Sequence, residues 1–326
     1  MNFEIFDEDY YLKRYPAVAE VIEEGIFSSG LEHFQRFGIQ EGRTQVSRYY
    51  DEDTYLANNP GVAEAVENGI FVSGLEHFIQ AGYEEGRTNI SPDYNEDFYL
   101  SNNSQVAELV AGGTFRNGLE HFIRFGVREN RFATNFFEPE YLAKNPGVAS
   151  AVAAGIFKTG REHYELFGQF ETERSATFVG SKGDDLIDAF GVGNVEILGV
   201  EVGLNETGDR FYESDGSGEF DTLIGSAGAD TFVFGQSFVN RAFLQVIVQT
   251  YYSGEGQALI QNFDPNDGDT IELIIRPSDD YNLRPEGADL ILEVRDDILA
   301  VIEGGASLGL TATENNVTQA KEVTIF

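Results

Sequence analysis

Cysteine is absent from this 326-residue chain, so neither disulfides nor thiolate metal sites contribute to it. Four histidines leave little room for zinc or general-base chemistry, and any bound metal is expected to be a hard, oxygen-loving one. Basic residues are scarce, with 21 Lys and Arg against 56 Asp and Glu, a formal net charge of −35 at pH 7. Such a chain repels phosphate backbones and anionic lipid, which excludes nucleic acid as a partner and favours cations. No run of 18 apolar residues is available to span a bilayer, so no membrane insertion is expected. The stretch from Met1 to Tyr11, carrying Asp7, Glu8 and Asp9, lacks the basic-then-apolar order of a cleaved signal peptide, and export by that route is not expected. What is present, 41% hydrophobic and 24% charged residues, is a globular composition long enough for two domains with separate cores.

The N-terminal half repeats. Leu31-Glu32-His33-Phe34 returns as Leu75-Glu76-His77-Phe78, Leu119-Glu120-His121-Phe122 and, altered, Arg161-Glu162-His163-Tyr164, at offsets of 44, 44 and 42 residues. Tyr11-Leu12, Tyr55-Leu56, Tyr99-Leu100 and Tyr141-Leu142 keep step near the start of each unit, and Phe37-Gly38, Ala81-Gly82, Phe125-Gly126 and Phe167-Gly168 near its end. Four units of about 44 residues follow, at roughly 6–48, 49–92, 93–135 and 136–174, within an α-helical domain 1–175.

Each unit reads as three short helices. Acids such as Asp7, Glu8 and Asp9 suit the positive end of a first helix that carries the Tyr-Leu pair. Asn59-Pro60 and Asn145-Pro146 read as an N-cap and a proline in the first helical position, opening a second helix that stops near a glycine such as Gly69. Ser29, Ser73, Asn117 and Thr159, each three residues before a glutamate, form capping boxes for a third. Gly38, Gly82, Gly126 and Gly168 are expected to end that helix in the left-handed conformation. All four histidines occupy one slot beside the capping glutamate, so each unit offers a metal a single imidazole. They are expected to be packed, hydrogen-bonded core residues. Tyr11, Phe27, Phe34 and Phe37, at helical spacings, are expected in the core rather than as a sugar-stacking platform. Units of this kind bury their apolar faces together, in an α-helical solenoid or compact array.

After about Thr177 the helical period ends, glycine and aspartate rise, and β-branched runs such as Val246-Ile247-Val248 appear. Residues 1–175 hold 29 acids and 14 bases, and residues 176–326 hold 27 and 7, so the second domain is the more acidic for its length. Gly225-Ser226-Ala227-Gly228-Ala229-Asp230-Thr231-Phe232-Val233 follows the nonapeptide G-G-x-G-x-D-x-U-x, with serine at the second glycine. A second copy, Gly216 to Ile224 with Asp221, abuts it, although Glu219 stands where a glycine is usual. Gly180 to Asp188, with Gly183 and Asp185, is a third, and residues 189–215 break the nine-residue register. Glycines let such a turn aim carbonyl oxygens inward, the aspartate adds a carboxylate, and calcium accepts six to eight oxygens of this kind. The alternative is a set of ordinary Gly-Asp turns between strands.

From about residue 178 onward the chain resembles the RTX, or repeats-in-toxin, family of calcium-binding β-rolls exported by bacterial type I secretion. The resemblance extends to Ala258–Asp264 with Gly268–Leu273, similar to a strand pair that closes such rolls, and to Ile291–Val294 and Leu299–Gly304. It implies Ca2+ as cofactor, with Asp185, Asp221 and Asp230 as ligand aspartates and Gly180, Gly183, Gly216, Gly225 and Gly228 in the binding turns. Asp209 and Asp215 are further candidates from the irregular stretch. The N-terminal units also look like a repeat found beside such rolls in bacterial, especially cyanobacterial, exported proteins. The ending Glu322-Val323-Thr324-Ile325-Phe326 resembles those of some type I substrates, and export by type I secretion to the extracellular cell surface is expected.

Enzyme readings lack a constellation. No histidine has a partner one helical turn away, as H-E-x-x-H requires. Gly305-Ala306-Ser307-Leu308-Gly309 matches G-x-S-x-G, but no histidine follows residue 163 to serve as its base. The expected fold is thus a four-unit α-helical array followed by a calcium-binding β domain at 176–326. The expected function is a non-catalytic, secreted calcium-binding structural protein of the bacterial cell surface or extracellular matrix, of S-layer or filament type, self-assembling as a homo-oligomer or polymer or attaching to a surface through its helical repeats. The alternative is a module that holds a surface polysaccharide beside a calcium-stabilised export domain.

Overall fold

The structure, a computed structural model, describes residues 1–129, 131–205, 208–240, 245–275, 281–307, 315–317 and 320–325. Helices occupy the N-terminal region and strands the C-terminal one. The chain forms two compact units, Met1–Thr134 with Pro146–Glu162, and Asn135–Asn145 with His163–Phe326. The fourth repeat therefore contributes its middle helix, Pro146–Ala153, to the first unit and its first helix, Glu138–Lys144, to the second.

In the first unit each complete repeat has three helices, as in Glu8–Arg14, Pro16–Glu23 and Gly30–His33, the last running on as a π-helix through Phe34–Gly38. The caps explain the boundaries. Asp7, Asp51 and Asn95 accept the backbone N–H of Tyr10, Thr54 and Phe98. The next acid has a longer reach: Glu52 accepts from Gly74 N at 2.5 Å and Leu75 N at 3.0 Å, capping the third helix from the first, and Glu8 and Glu96 do the same in their repeats. Ser29, Ser73, Asn117 and Thr159 accept from the amide of the glutamate three residues on. That glutamate returns to the amide before the cap, Ser28, Val72, Arg116 or Lys158, so the box is one residue wider than expected.

Two expectations are corrected. Asn59 precedes Pro60 as an N-cap, but its side chain caps nothing; it donates to Tyr55 O at 2.7 Å and accepts from Arg87. Gly38, Gly82, Gly126 and Gly168 are not left-handed. A side chain at Gly38 would lie 2.8 Å from the Tyr11 hydroxyl, and at Gly82, Gly126 and Gly168 it would crowd those of Tyr55, Tyr99 and Tyr141, so glycine is needed here for room. The left-handed turns fall instead at Gly42 (φ +67°) and Gly86 (φ +74°), and, after the second helices, at Gly25, Gly69, Gly113 and Gly155.

The tyrosines so accommodated are core. Tyr11, Tyr55 and Tyr99 are fully buried with Phe34, Phe78 and Phe122, whereas Phe37 is 43% exposed and lies outside the expected core. Every histidine takes a tyrosine partner: the hydroxyls of Tyr11, Tyr55, Tyr99 and Tyr141 lie 3.1, 2.8, 2.8 and 2.9 Å from Nδ1 of His33, His77, His121 and His163. Each repeat also closes on itself, Asp7 N donating to Val46 O, Asp51 N to Ile90 O and Asn95 N to Ala133 O, each at 2.8 Å. Contacts between non-adjacent repeats include Lys13 Nζ with Ala153 O at 3.3 Å and Lys158 with Asp51 at 2.7 Å. The unit is thus a compact array, since an open solenoid joins only successive repeats.

In the second unit, β1 (Ala176–Val179), β2 (Leu186–Asp188) and β3 (Val195–Leu198) alternate between two sheets. A hairpin, β4 (Val202–Leu204) and β5 (Arg210–Tyr212), precedes β6 (Phe220–Ile224) and β7 (Asp230–Val233). A second hairpin, β8 (Gly235–Asn240) and β9 (Gln245–Thr250), precedes β10 (Gln257–Gln261) and β11 (Thr270–Ile275). The chain ends with β12 (Tyr281–Glu286), β13 (Asp289–Val294), β14 (Asp297–Ile302), β15 (Asn315–Val317) and β16 (Ala320–Ile325). One six-stranded sheet runs β1-β3-β7-β11-β16-β15 and the other β12-β13-β14-β10-β6-β2. The pairs β1/β3, β3/β7 and β7/β11, and β2/β6, β6/β10 and β10/β14, are all parallel, and from β1 to β11, the two hairpins aside, the chain crosses from sheet to sheet at every strand.

The spacing of these pairs accounts for the break in register. Ala176 aligns with Val195, a step of 19 residues, close to two nonapeptides. Leu186 aligns with Thr222, a step of 36, because the β4/β5 hairpin is inserted within that turn of chain. The alternation itself continues through 189–215. Arg210 anchors this hairpin, donating to Glu140 Oε2 and Glu196 Oε1, each at 2.6 Å.

Strand β1 also takes the closing position of the fourth repeat. Phe137 N donates to Thr177 O and Val179 N to Asn135 O, each at 2.8 Å, where the earlier repeats use Val46, Ile90 and Ala133. Phe136, Tyr141, Tyr164 and Phe190 cluster around Phe178 and cover this edge strand, which would otherwise invite pairing with another chain. No helix among the described residues is long and apolar enough to cross a membrane.

Candidate cation-binding turns

The tandem copies at 216 and 225 send β6 and β7 to opposite sheets, so their aspartates stand at opposite edges of the unit. Asp185 and Asp221 stack at one edge, just before and at the start of β2 and β6, and Asp230 and Asp269 stack at the other, beside β7 and β11. Sequence reasoning missed Asp269. The signal was there in Gly268-Asp269-Thr270, the same glycine-aspartate entry into a strand, without the earlier glycines of the motif.

The two edges share one hydrogen-bond pattern. Asp185 Oδ2 accepts from Ser181 N at 2.6 Å and Ser181 Oγ at 2.8 Å; Asp230 accepts from Ser226 N at 2.5 Å and Ser226 Oγ at 2.6 Å. Each serine stands at the motif's second glycine, and its hydroxyl satisfies the motif's carboxylate. The aspartate's own amide then donates to the carboxylate one turn of chain later, Asp185 N to Asp221 Oδ1 at 2.8 Å and Asp230 N to Asp269 Oδ1 at 2.9 Å. The second oxygen of Asp221 accepts from the Tyr252 hydroxyl, and that of Asp269 from Asp264 N at 2.9 Å.

The glycines hold these turns close. A side chain on Gly180 would lie 3.0 Å from Asp185 Oδ2, one on Gly225 2.9 Å from Asp230 Oδ2, and one on Gly228 would strike the carbonyls of Val192 and Gly193. Gly216 is left-handed (φ +72°) with the Tyr252 ring where a side chain would go, and Gly183 N donates to Ser181 Oγ at 3.3 Å. Asn262 donates to the carbonyls of Gly225 and Ser226 at 2.9 and 3.0 Å, so a side-chain amide already uses two carbonyl oxygens of that turn. Asp215 joins the first edge through its carbonyl, which accepts from Tyr252 N at 2.8 Å, while Asp209 lies in the β4/β5 loop, where its N–H donates to Asn205 Oδ1.

Burial sets the electrostatics. Asp221, Asp230 and Asp269 are each no more than 2% exposed. Loss of solvent pushes the Asp230 carboxyl up to about 6 and that of Asp221 up to about 7, and raises Asp185 and Asp269 in the same direction. Glu219 rises furthest among them, up to about 8, by burial first and then by the charges of Asp221, Asp185, Asp215 and Asp184. The donors are all oxygen, which fits a hard cation such as calcium. Among the described residues no three Asp, Glu, His or Cys side chains are grouped to hold an ion, so a site here must also draw on main-chain carbonyls.

The other sequence candidates fall elsewhere. Leu308 and Gly309 of the G-x-S-x-G match lie outside the described residues, as does Phe326 of the terminal pattern. The strands expected at 258–273 are β10 and β11, but they lie in different sheets and do not pair with each other, and 291–304 holds β13 and β14. Compared with known proteins, the chain matches no family model, no curated protein and no solved structure.

Proposed function

We propose that the second unit is a calcium-binding β-roll of RTX type within a secreted, non-catalytic structural protein of a bacterial surface or matrix. The observation that carries this reading is the same turn geometry at both edges of sheet-alternating parallel strands: a motif aspartate whose amide donates to the carboxylate of the next turn of chain. Stacked, desolvated carboxylates repel one another, and a divalent cation between them offsets that repulsion. Bound calcium supplies charge neutralisation; the chain supplies rigid glycine turns, carbonyl oxygens and the aspartates.

Residues 176–326, with 27 acids against 7 bases, fold poorly where calcium is scarce and gain stability where it is plentiful. Each occupied site adds RT ln(1 + [L]/Kd), about 2.7 kcal/mol at a hundredfold excess, against a whole-domain stability of roughly 5–15 kcal/mol. Folding is thereby delayed until after export through a type I channel, and the helical unit mediates self-association or attachment. Calorimetric titration and thermal melting of the full chain, with and without chelator, test this. Saturable calcium binding with a higher melting temperature is expected; no binding at millimolar calcium sinks the proposal.

A further inference from the structure

Glu219 breaks the nine-residue pattern, standing where a glycine is usual. It is 7% exposed, and its Oε2 has no hydrogen-bond partner among the described residues. The neighbouring aspartates are not in that position: Asp185 has Ser181, Asp221 has Asp185 N and Tyr252, and Asp230 has Ser226. A carboxylate oxygen removed from water without a partner is costly, and a chain would avoid it by keeping glycine. After burial, the charges bearing most on Glu219 are those of Asp221 and then Asp185, the stacked pair at the first edge. The turn beside it also presents main-chain oxygens. Among the described residues Gly216 O accepts from Glu219 N at 3.1 Å and Glu219 O from Gln257 N at 2.9 Å, and a carbonyl oxygen with one such bond retains a second lone pair.

We propose that Glu219 and Asp221, with carbonyl oxygens of the 216–219 turn, form a divalent-cation site in which the glutamate replaces a pattern glycine as a ligand. The site rests on the calcium reading above and makes the two edges unequal. At the second edge the serine, the amides and Asn262 already satisfy the carboxylates and turn carbonyls. At the first edge one buried acid is left for the ion, and calcium, which tolerates irregular oxygen cages, suits it better than magnesium.

The test is calcium calorimetry and melting of the full chain, comparing wild type with Glu219→Gln, Glu219→Asp and Asp230→Asn. Glu219→Gln should abolish one binding site or weaken it at least tenfold, while Asp230→Asn leaves that site intact. Melting should cross over: with chelator Glu219→Gln melts at or above wild type, because a neutral amide avoids the cost of burying an ionisable carboxyl beside other acids, and in calcium it melts below. If the Gln variant loses its native circular dichroism, Glu219→Asp serves instead, with the same tenfold weakening expected from the shorter reach. Wild type that binds calcium with the Glu219 variants unchanged in affinity, stoichiometry and crossover overturns this inference and leaves the calcium reading standing. Wild type that binds no calcium overturns both.

Discussion

The helical unit and the β unit both repeat a short motif, but they treat buried polar groups in opposite ways. In the helical unit the buried tyrosine, asparagine and first-helix glutamate of the motif meet partners within their own repeat, Tyr55 with His77, Asn59 with Arg87 and Glu52 with two amides of the third helix, although Asn102 Oδ1 has none among the described residues. In the β unit like charges are stacked, Asp185 over Asp221 and Asp230 over Asp269, and Glu219 has an oxygen without a partner among the described residues. The contrast teaches that repetition can close a set of interactions internally or leave the same deficit at successive turns. A unit of the first kind needs nothing from its surroundings; a unit of the second kind is poised to respond to them.

The comparison breaks most sharply at the glycines. Gly82→Ala would drive a methyl into the Tyr55 hydroxyl and within 3.3 Å of His77 and Phe78, so a loss of up to about 3 kcal/mol is expected. Chemical denaturation should show that loss unchanged by calcium, since the helical unit is closed by its own partners. A calcium-dependent loss would mean that the units do not differ as described.

Calcium should act on the other unit alone, raising its stability by about 2.7 kcal/mol per site at a hundredfold excess. Peptide-resolved hydrogen exchange checks this: protection should rise in 180–185, 216–221 and 225–230 and stay level around His33, His77 and His121.

Acid should separate the units by sign. Burial holds His33, His77 and His121 below their usual value, so the unfolded chain takes up protons first as the pH falls through about 6.5. The helical unit is thus at full stability above that pH and weakens below it. Asp230, Asp221 and Glu219, raised to about 6, 7 and 8, bind protons in the folded state that the unfolded state releases near pH 4. Without calcium the β unit therefore loses stability as the pH rises from about 4 to about 8. Exchange protection followed across that range should show the two trends crossing; parallel trends would refute the contrast.

The smallest effects belong to single caps. Ser73→Ala removes the bond to Glu76 N and should cost about 1 kcal/mol, and Tyr55→Phe, which leaves His77 Nδ1 without its partner, a similar amount. Urea unfolding of each variant measures both.

Much of this was legible in the residues. The repeat, its helix starts and the change to strands near 176 follow from Ser73 before Glu76, proline after Asn59, and Gly-Asp turns before β-branched runs. The constant 22-residue separation of Tyr11 from His33, Tyr55 from His77 and Tyr99 from His121 was a further signal of their pairing. Glu52 was harder to read, since an acid in a first turn satisfies the helix dipole without any distant partner, and only the folded repeat reveals its span of 22 residues to Gly74. Glycines 38, 82 and 126 misled because glycine near a helix end suggests a left-handed cap, whereas here the tyrosine behind it demands the space.

Local chemistry thus specified the elements: periodicity, caps and turn glycines act within a few residues and need no knowledge of what lies opposite. Which turn stacks on which had to wait for the tertiary fold, because two inserted hairpins stretch the step between paired aspartates from about two nonapeptides to 36 and 39 residues. The same long-range pairing made Asp269 part of the second edge, gave β1 to the fourth repeat as its closing segment, and left Glu219 under the charges of other carboxylates. Burial and electrostatic repulsion depend on neighbours in space, and those neighbours are distant in the chain.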